Sequence, residues 1–208
     1  MRNETYHVAI DVGTTKVCTL VGRSDADGKL QVIGVGTVPS RGMKKGMVSN
    51  LSDVQQVIQS SLREAEAQAG IKIGSAYVGI TGSHINYVNS RASLDNRRYN
   101  SPVGSSDMEQ MSQACYADRT VPGDKVLHVI PRGYSVDGNW GIHDPTGMYA
   151  STVELESHVV IANQTSVDNL VEGLRRSGIK LRGLVLEPLA SAEAVLSNDE
   201  RDIGVVLV

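Results

Sequence analysis

His7-Val8-Ala9-Ile10-Asp11-Val12-Gly13-Thr14-Thr15-Lys16-Val17-Cys18-Thr19-Leu20-Val21 is the stretch on which the fold turns. Val8, Ile10 and Val12 alternate onto one face, and Val17, Thr19 and Val21 do the same beyond a Gly-Thr-Thr break. Alternation with a period of two on both sides of a break predicts two strands and a tight turn. Asp11 precedes the tip Gly13-Thr14-Thr15-Lys16, which suits a bound phosphate. Gly lets the backbone approach an anion, N–H groups and hydroxyls donate to its oxygens, Lys adds charge, and the acid can hold a hydrated Mg²⁺. The same residues also make an ordinary hairpin turn, so the pattern leaves both readings open. It is not a P-loop, and no GxGxxG opens a helix.

Outward from the turn, Asp25 to Gly28 is a second turn, and Leu30 to Val38 supplies a third strand with Gly34 and Gly36 thinning one face. Pro39 to Gly46 (PSRGMKKG) reads as a loop, with Lys44 and Lys45 as a solvated basic turn. Ser52 and Gln55 form a capping-box pattern. The helix that follows carries Val54, Val57, Ile58, Leu62, Ala65 and Ala69 on one face, and Gly70 stands where a left-handed cap belongs. Ser75 to Thr81 is then a strand, giving the order β-β-β-α-β.

Past Gly82 the character changes. Ile85, Tyr87 and Val88 suggest a strand, and SLDNRRYNSPVGSS from Ser93 a polar loop. Ser106 and Glu109 form a second capping-box pattern, before a helix with Met108, Met111 and Cys115 on its core face. Strands are expected from Lys125 and from Val153, joined by the Gly-rich DGNWGIHDPTGM. Thr165 or Ser166 would cap a helix with Val167, Leu170, Val171 and Leu174 buried and Gly178 at its end. LRGLVLE is a strand, Pro188 fits the first position of a helix running to Leu196, and IGVVLV reads as a last strand inside which the chain is cut.

The 208 residues hold 20 Lys plus Arg against 23 Asp plus Glu, a net charge of -3, with 40% hydrophobic residues. A chain of this length buries roughly 70% of its unfolded surface and folds without disulfides or a structural metal. The slight acidity excludes a nucleic-acid partner, which needs a concentrated basic field. No apolar run reaches about 20 residues and no signal peptide opens the chain, so a cytoplasmic protein is expected. Cys18 and Cys115 are isolated buried thiols. His7, His143 and His158 lack ligand spacing, His84 and His128 are packing residues, and Gly82-Ser83-His84 lacks the glycines of a nucleophile elbow.

Taken in order, the Asp11–Lys16 turn, PSRGMKKG, GITGSHI (79–85), LHVIPRGYSVDG (127–138) and LEPLASAEAVL (186–196) resemble the FtsA family, the actin-like ATPases of bacterial cell division. The resemblance covers essentially the whole chain. It implies an α/β actin/Hsp70-type (ribonuclease H-like) nucleotide-binding subdomain 1A, formed by 1–84 and 160–208. An inserted strand-helix-strand-strand subdomain 1C would occupy 85–159. Carried over by position, Asp11 would face Mg²⁺ through water, and Gly13, Thr14, Thr15 and Lys16 would form the first phosphate loop for ATP.

The resemblance further implies a peripheral protein on the cytoplasmic face of the inner membrane at the division site. Such a protein links the FtsZ ring to the membrane, self-associates into filaments, and receives later division proteins through 85–159. Its FtsZ-binding and membrane-tethering parts fall outside this chain. Ala150 and Thr152 depart from the Gly and Arg that the family usually carries after Gly147 and Met148. The chain also stops before the family's second phosphate loop and adenosine pocket. If those are worth about 4 kcal/mol, ATP affinity falls about a thousandfold, so residues 1–208 are expected to bind ATP poorly and hydrolyse none, although the parent would be a slow ATPase. A metabolite or sugar kinase shares the Asp-x-Gly-Thr-Thr turn but needs a base on its acceptor hydroxyl, and no acidic motif stands out for one. A pilus-assembly or rod-shape relative would share 1A, whereas LHVIPRGYSVDG and LEPLASAEAVL favour the division family.

Overall fold

The computed structural model describes residues 5–95, 102–117 and 119–207. The chain divides into two compact units, Met1–His84 with Thr165–Val208, and Ile85–Gln164. In the first, β1 (Thr5–Val12) and β2 (Lys16–Ser24) form an antiparallel hairpin whose last pair is Val12 with Val17. β3 (Leu30–Pro39) extends the meander. PSRGMKKG is more than a loop: β4 (Met43–Lys44) and β5 (Met47–Val48) pair across Lys45 and Gly46, both with positive φ (52° and 79°). A two-residue hairpin turn of type I′ needs two such residues, and Lys-Gly advertises this less clearly than Asn-Gly.

α1 (Leu51–Ala69) is capped two residues earlier than the Ser52–Gln55 pattern suggests. Asn50 is the cap, its side chain accepting from the Ser52 and Asp53 N–H groups. Gly70 closes the helix at φ 69°, donating to the Glu66 carbonyl. Val54, Val57, Ile58, Leu62 and Ala65 are buried. The thin face of β3 has a physical purpose: a Cβ on Gly36 would overlap the Ser61 carbonyl, and one on Gly34 would lie 2.9 Å from the Ala69 Cβ. At this close approach the Ser61 hydroxyl donates to the Gly36 carbonyl (3.0 Å), leaving the Thr19 hydroxyl to donate to Ser61 (2.6 Å). Two buried polar side chains are thereby satisfied in the helix–sheet contact.

β6 (Ser75–Ile80) then lies parallel to β1. The second unit follows, with β7 (Ile85–Asp95), α2 (Ser105–Ala117), β8 (Asp124–Val136), β9 (Asn139–Ile142) and β10 (Thr152–Asn163). Its antiparallel sheet has the order β7-β10-β8-β9. α2 contributes Met111 and Cys115 to a core with Ala92, Tyr134, Val153, Leu155 and Val159. Besides the strand, helix and two strands read from the sequence, the unit contains β9. It folds back on β8 because Asp137 and Gly138 adopt positive φ (49° and 84°), an Asp-Gly hairpin signal inside what reads as a connection. At the start of α2 it is Asp107 that accepts, from the Gly104 N–H (2.8 Å), in place of the Ser106–Glu109 pattern. Of the polar loop from Ser93, residues 96–101 lie outside the described residues, and Ser93 to Asp95 belong to β7.

The chain returns through α3 (Gln164–Arg176), whose first turn already contains Thr165 and Ser166. Val167, Leu170 and Leu174 are buried, and Gly178 has φ 84°. β11 (Lys180–Leu186) lies parallel to β6 and completes the order β11-β6-β1-β2-β3. α4 (Glu187–Val195) starts with Pro188 in its first turn. SNDERD forms a helix, α5 (Asn198–Ile203), through a capping box between Ser197 and Glu200. Residues 204–207 are not the expected strand. An extended segment becomes a strand only by pairing, and Val205, Val206 and Leu207 are 45%, 89% and 43% exposed.

The close approach of α1 to β3 gives a direct prediction. Gly36→Ala forces the helix backbone away from the sheet and should cost about 1–3 kcal/mol, the usual range for overpacking. Urea unfolding measures it, and an unchanged midpoint would contradict the packing described.

Candidate functional site

The β1–β2 hairpin ends in the Gly13-Thr14-Thr15 turn. It is closed by a hydrogen bond from the Gly13 N–H to the Lys16 carbonyl (3.1 Å) and tied to the end of β3 by one from the Ser40 N–H to the Thr15 carbonyl (3.0 Å). A Cβ at Gly13 would stand 3.0 Å from the Lys16 carbonyl, so a larger residue would disturb that closure. Thr14, Thr15 and Lys16 are exposed, with two hydroxyls and an ammonium at the tip. Because the Gly13 amide is engaged within the turn, the side chains are the clearer anion donors.

Asp11 precedes this turn at the carboxyl end of β1 and is paired in register with Gly79 of β6. The missing side chain at Gly79 leaves room for a second acid. A Cβ there would come 3.2 Å from Cγ of Glu187, the first residue of α4. Burial, the charge of Asp11 and a hydrogen bond with it push the Glu187 carboxyl up to about 7. A carboxyl beside another resists ionisation, so Glu187 keeps its proton well above the usual carboxylate range. Oδ1 of Asp11 is buried without a hydrogen-bond partner. The pair borders a groove of about 400 Å³ between α4 and the sheet, lined also by Tyr77, Ala190 and Ala194.

Two acidic side chains, one with an unpartnered buried oxygen, fit a hard divalent cation. Mg²⁺ commonly takes one or two carboxylates and completes its octahedron with water and phosphate oxygens. Among the described residues no group of three or more His, Cys, Asp or Glu could hold a metal unaided. The arrangement therefore suits a cation that arrives with an anionic ligand.

Glu187 is absent from the site residues read in the sequence, although LEPLASAEAVL contains it. The usable signal was positional: β1, β6 and β11 are parallel, and ligands of parallel sheets bind beyond the carboxyl ends of the strands, where Asp11 and Glu187 both stand. Lys44 and Lys45 border a different cleft with Ser49, Ser166 and Asn169. His84 is buried, which holds its pKa below the usual imidazole range, and its Nδ1 has no partner. Burial likewise lowers His128. Cys115 is buried and Cys18 half-buried, both as free thiols.

Residues 82–161 match the model of the SHS2 domain inserted in FtsA. Across the chain, the cell division protein FtsA of Pseudomonas aeruginosa is 40% identical over 201 residues, covering 97% of this chain and 48% of that protein. FtsA of Neisseria meningitidis serogroup B is 32% identical over 207 residues, covering 100% and 50%, and that of Escherichia coli is 34% identical over 201, covering 97% and 47%. The chain belongs to the FtsA family. It corresponds to an N-terminal portion and spans about half the length of the curated relatives it matches.

The FtsA assignment agrees with the fold, a mixed α/β actin-like architecture carrying the inserted domain. A PilM–PilN type IV pilus biogenesis complex superposes with a TM-score of 0.63 at 14% identity, covering 90% of this chain and 49% of that one. At that identity the likeness shows shared architecture alone. Among the described residues no helix of this FtsA-family chain is long and apolar enough to cross a membrane.

The raised carboxyl has a consequence for stability. Between the ordinary value of 4.5 and about 7, the folded state binds more protons at Glu187 than the unfolded state does. This contribution to stability is therefore greatest below about 4.5, declines as pH rises through about 7, and then levels off. Glu187→Gln should remove that component from a series of thermal midpoints, and an unchanged slope in the variant would contradict the assignment.

Proposed function

We propose that this chain supplies the first half of an ATP–Mg²⁺ site in an actin-like cell-division adaptor. Residues 1–84 and 160–208 would serve as subdomain 1A and 85–159 as 1C. The observation that carries the reading is the adjacent Asp11–Glu187 pair, with its unpartnered buried Asp11 oxygen, beside the turn whose Thr14, Thr15 and Lys16 are exposed.

In this reading Asp11, with Glu187 beside it, would hold the cation through its water shell, Glu187 giving up its proton. The Thr14 and Thr15 hydroxyls donate to phosphate oxygens and Lys16 adds positive charge, while Gly13 keeps the tip closed. Bound Mg²⁺ supplies charge neutralisation at the phosphates. Nucleotide then acts as a conformational switch by binding one arrangement of the protein better than another. The parent would link the FtsZ ring to the cytoplasmic face of the inner membrane, self-associate into filaments, and receive later division proteins through residues 85–159. Membership of the FtsA family supports these roles.

The test compares Mg-ATP binding to residues 1–208 with binding to the full-length parent. The parent should bind, residues 1–208 should bind about a thousandfold more weakly, and Asp11→Asn in the parent should weaken binding about tenfold to a hundredfold. Micromolar binding by residues 1–208 with Asp11→Asn having no effect would overturn the half-site. Sugar-dependent ADP release by the parent would replace the adaptor with a kinase.

A further inference from the structure

β7 forms one edge of the second sheet. It pairs with β10 from Ile85 through Asp95 without a register shift, and among the described residues no strand pairs along its other side. The opposite edge, β9, is four residues long. Protected edges carry proline, bulges, lysines or inward-pointing charges, or are very short. β7 has eleven residues, INYVNSRASLD, with neither proline nor lysine. Its backbone is a template for another extended strand.

The side chains select the occupant. Arg91, Ser93 and Asp95 point to the face away from α2, while Ala92 and Leu94 pack toward the α2 core. If a second β7 is laid antiparallel with the two-fold axis at Ser93, Arg91 of each copy falls opposite Asp95 of the other. Ser93 then meets its own counterpart, a small residue at the axis, and Ala92 opposes Leu94, joining the two apolar faces. Opposite charges directly across an antiparallel pair attract and like charges repel. A two-fold contact of this kind is self-complementary and closes at a dimer.

Arg91 is poised to take part. Its guanidinium lies 4.8 Å from the Trp140 ring and 3.2 Å from Glu156, a carboxylate that Arg132 also contacts at 2.9 Å. Glu156 is thus served by two arginines, and Arg91 can turn to a new carboxylate while Arg132 stays.

We propose that β7 is a homotypic docking edge, through which two copies of this chain pair antiparallel about Ser93 to make one continuous eight-stranded sheet from their two four-stranded sheets. The inference goes beyond the adaptor reading because it needs neither nucleotide nor the remainder of the protein. An edge contact of about five residues a side belongs to the weak, transient class.

Sedimentation equilibrium of residues 1–208 without nucleotide tests it, with circular dichroism confirming that each variant is folded. The chain should dimerise in the range of about 100 µM. Arg91→Glu and Asp95→Arg should each weaken association at least about tenfold, and the double swap Arg91→Glu/Asp95→Arg should restore it. Asp95→Arg leaves the Arg91–Glu156 pair in place, which separates loss of docking from local damage. A monomer at about 1 mM, a dimer insensitive to Asp95→Arg, or a double swap no better than either single variant would overturn the proposal. None of these outcomes bears on nucleotide binding.

Discussion

Asp11 stands near the end of β1 and Glu187 opens α4 directly after β11, with β6 between the two strands, and Glu187 tolerates the neighbouring carboxyl by holding its proton up to about 7. The surrounding fold is what enforces their meeting. β1 and β2 close over the 13–15 turn, Gly79 of β6 leaves a gap in the intervening strand, and α4 starts directly after β11, so its first residue reaches that gap. The turn is held in place in turn by β3, which α1 packs against backbone to backbone through Gly34 and Gly36. Loosening the helix on that sheet would loosen the site.

Most of the first unit was legible because its signals are local. Alternation from Val8 to Val21 gives the hairpin, the spacing of Val54, Val57, Ile58 and Leu62 gives α1, and Gly70 and Gly178 end their helices in left-handed geometry. The thinning of β3 at Gly34 and Gly36 was also visible, but its reason was not, because it lies in the Ser61 and Ala69 backbone some thirty residues on.

The misreadings share a cause. Asn50 and Asp107 use hydrogen bonds that the Ser52–Gln55 and Ser106–Glu109 patterns beside them imitate, so those caps were displaced, while the Ser197–Glu200 box was overlooked in a polar stretch. β9 and the β4–β5 hairpin depend on positive φ at Asp137-Gly138 and Lys45-Gly46, positions that composition labels simply as loop. Glu187 was missed for a different reason. Nothing in its neighbours marks it as titrating near neutrality, since that property arises from burial in the fold and then from Asp11, 176 positions earlier in the chain.

The second unit has its own core and its own antiparallel sheet, whereas the carboxyl pair lies wholly in the first. The most direct measurement on that pair is a pH titration of the Glu187 side-chain carboxyl by carbon NMR in the full-length parent, with and without Mg²⁺ and ATP. Cation binding by the pair requires a midpoint near 7 without ligand and a fall of about one pH unit or more when Mg²⁺ and ATP displace the proton. A midpoint in the ordinary glutamate range without ligand, or one near 7 that the ligands leave unmoved, would contradict it.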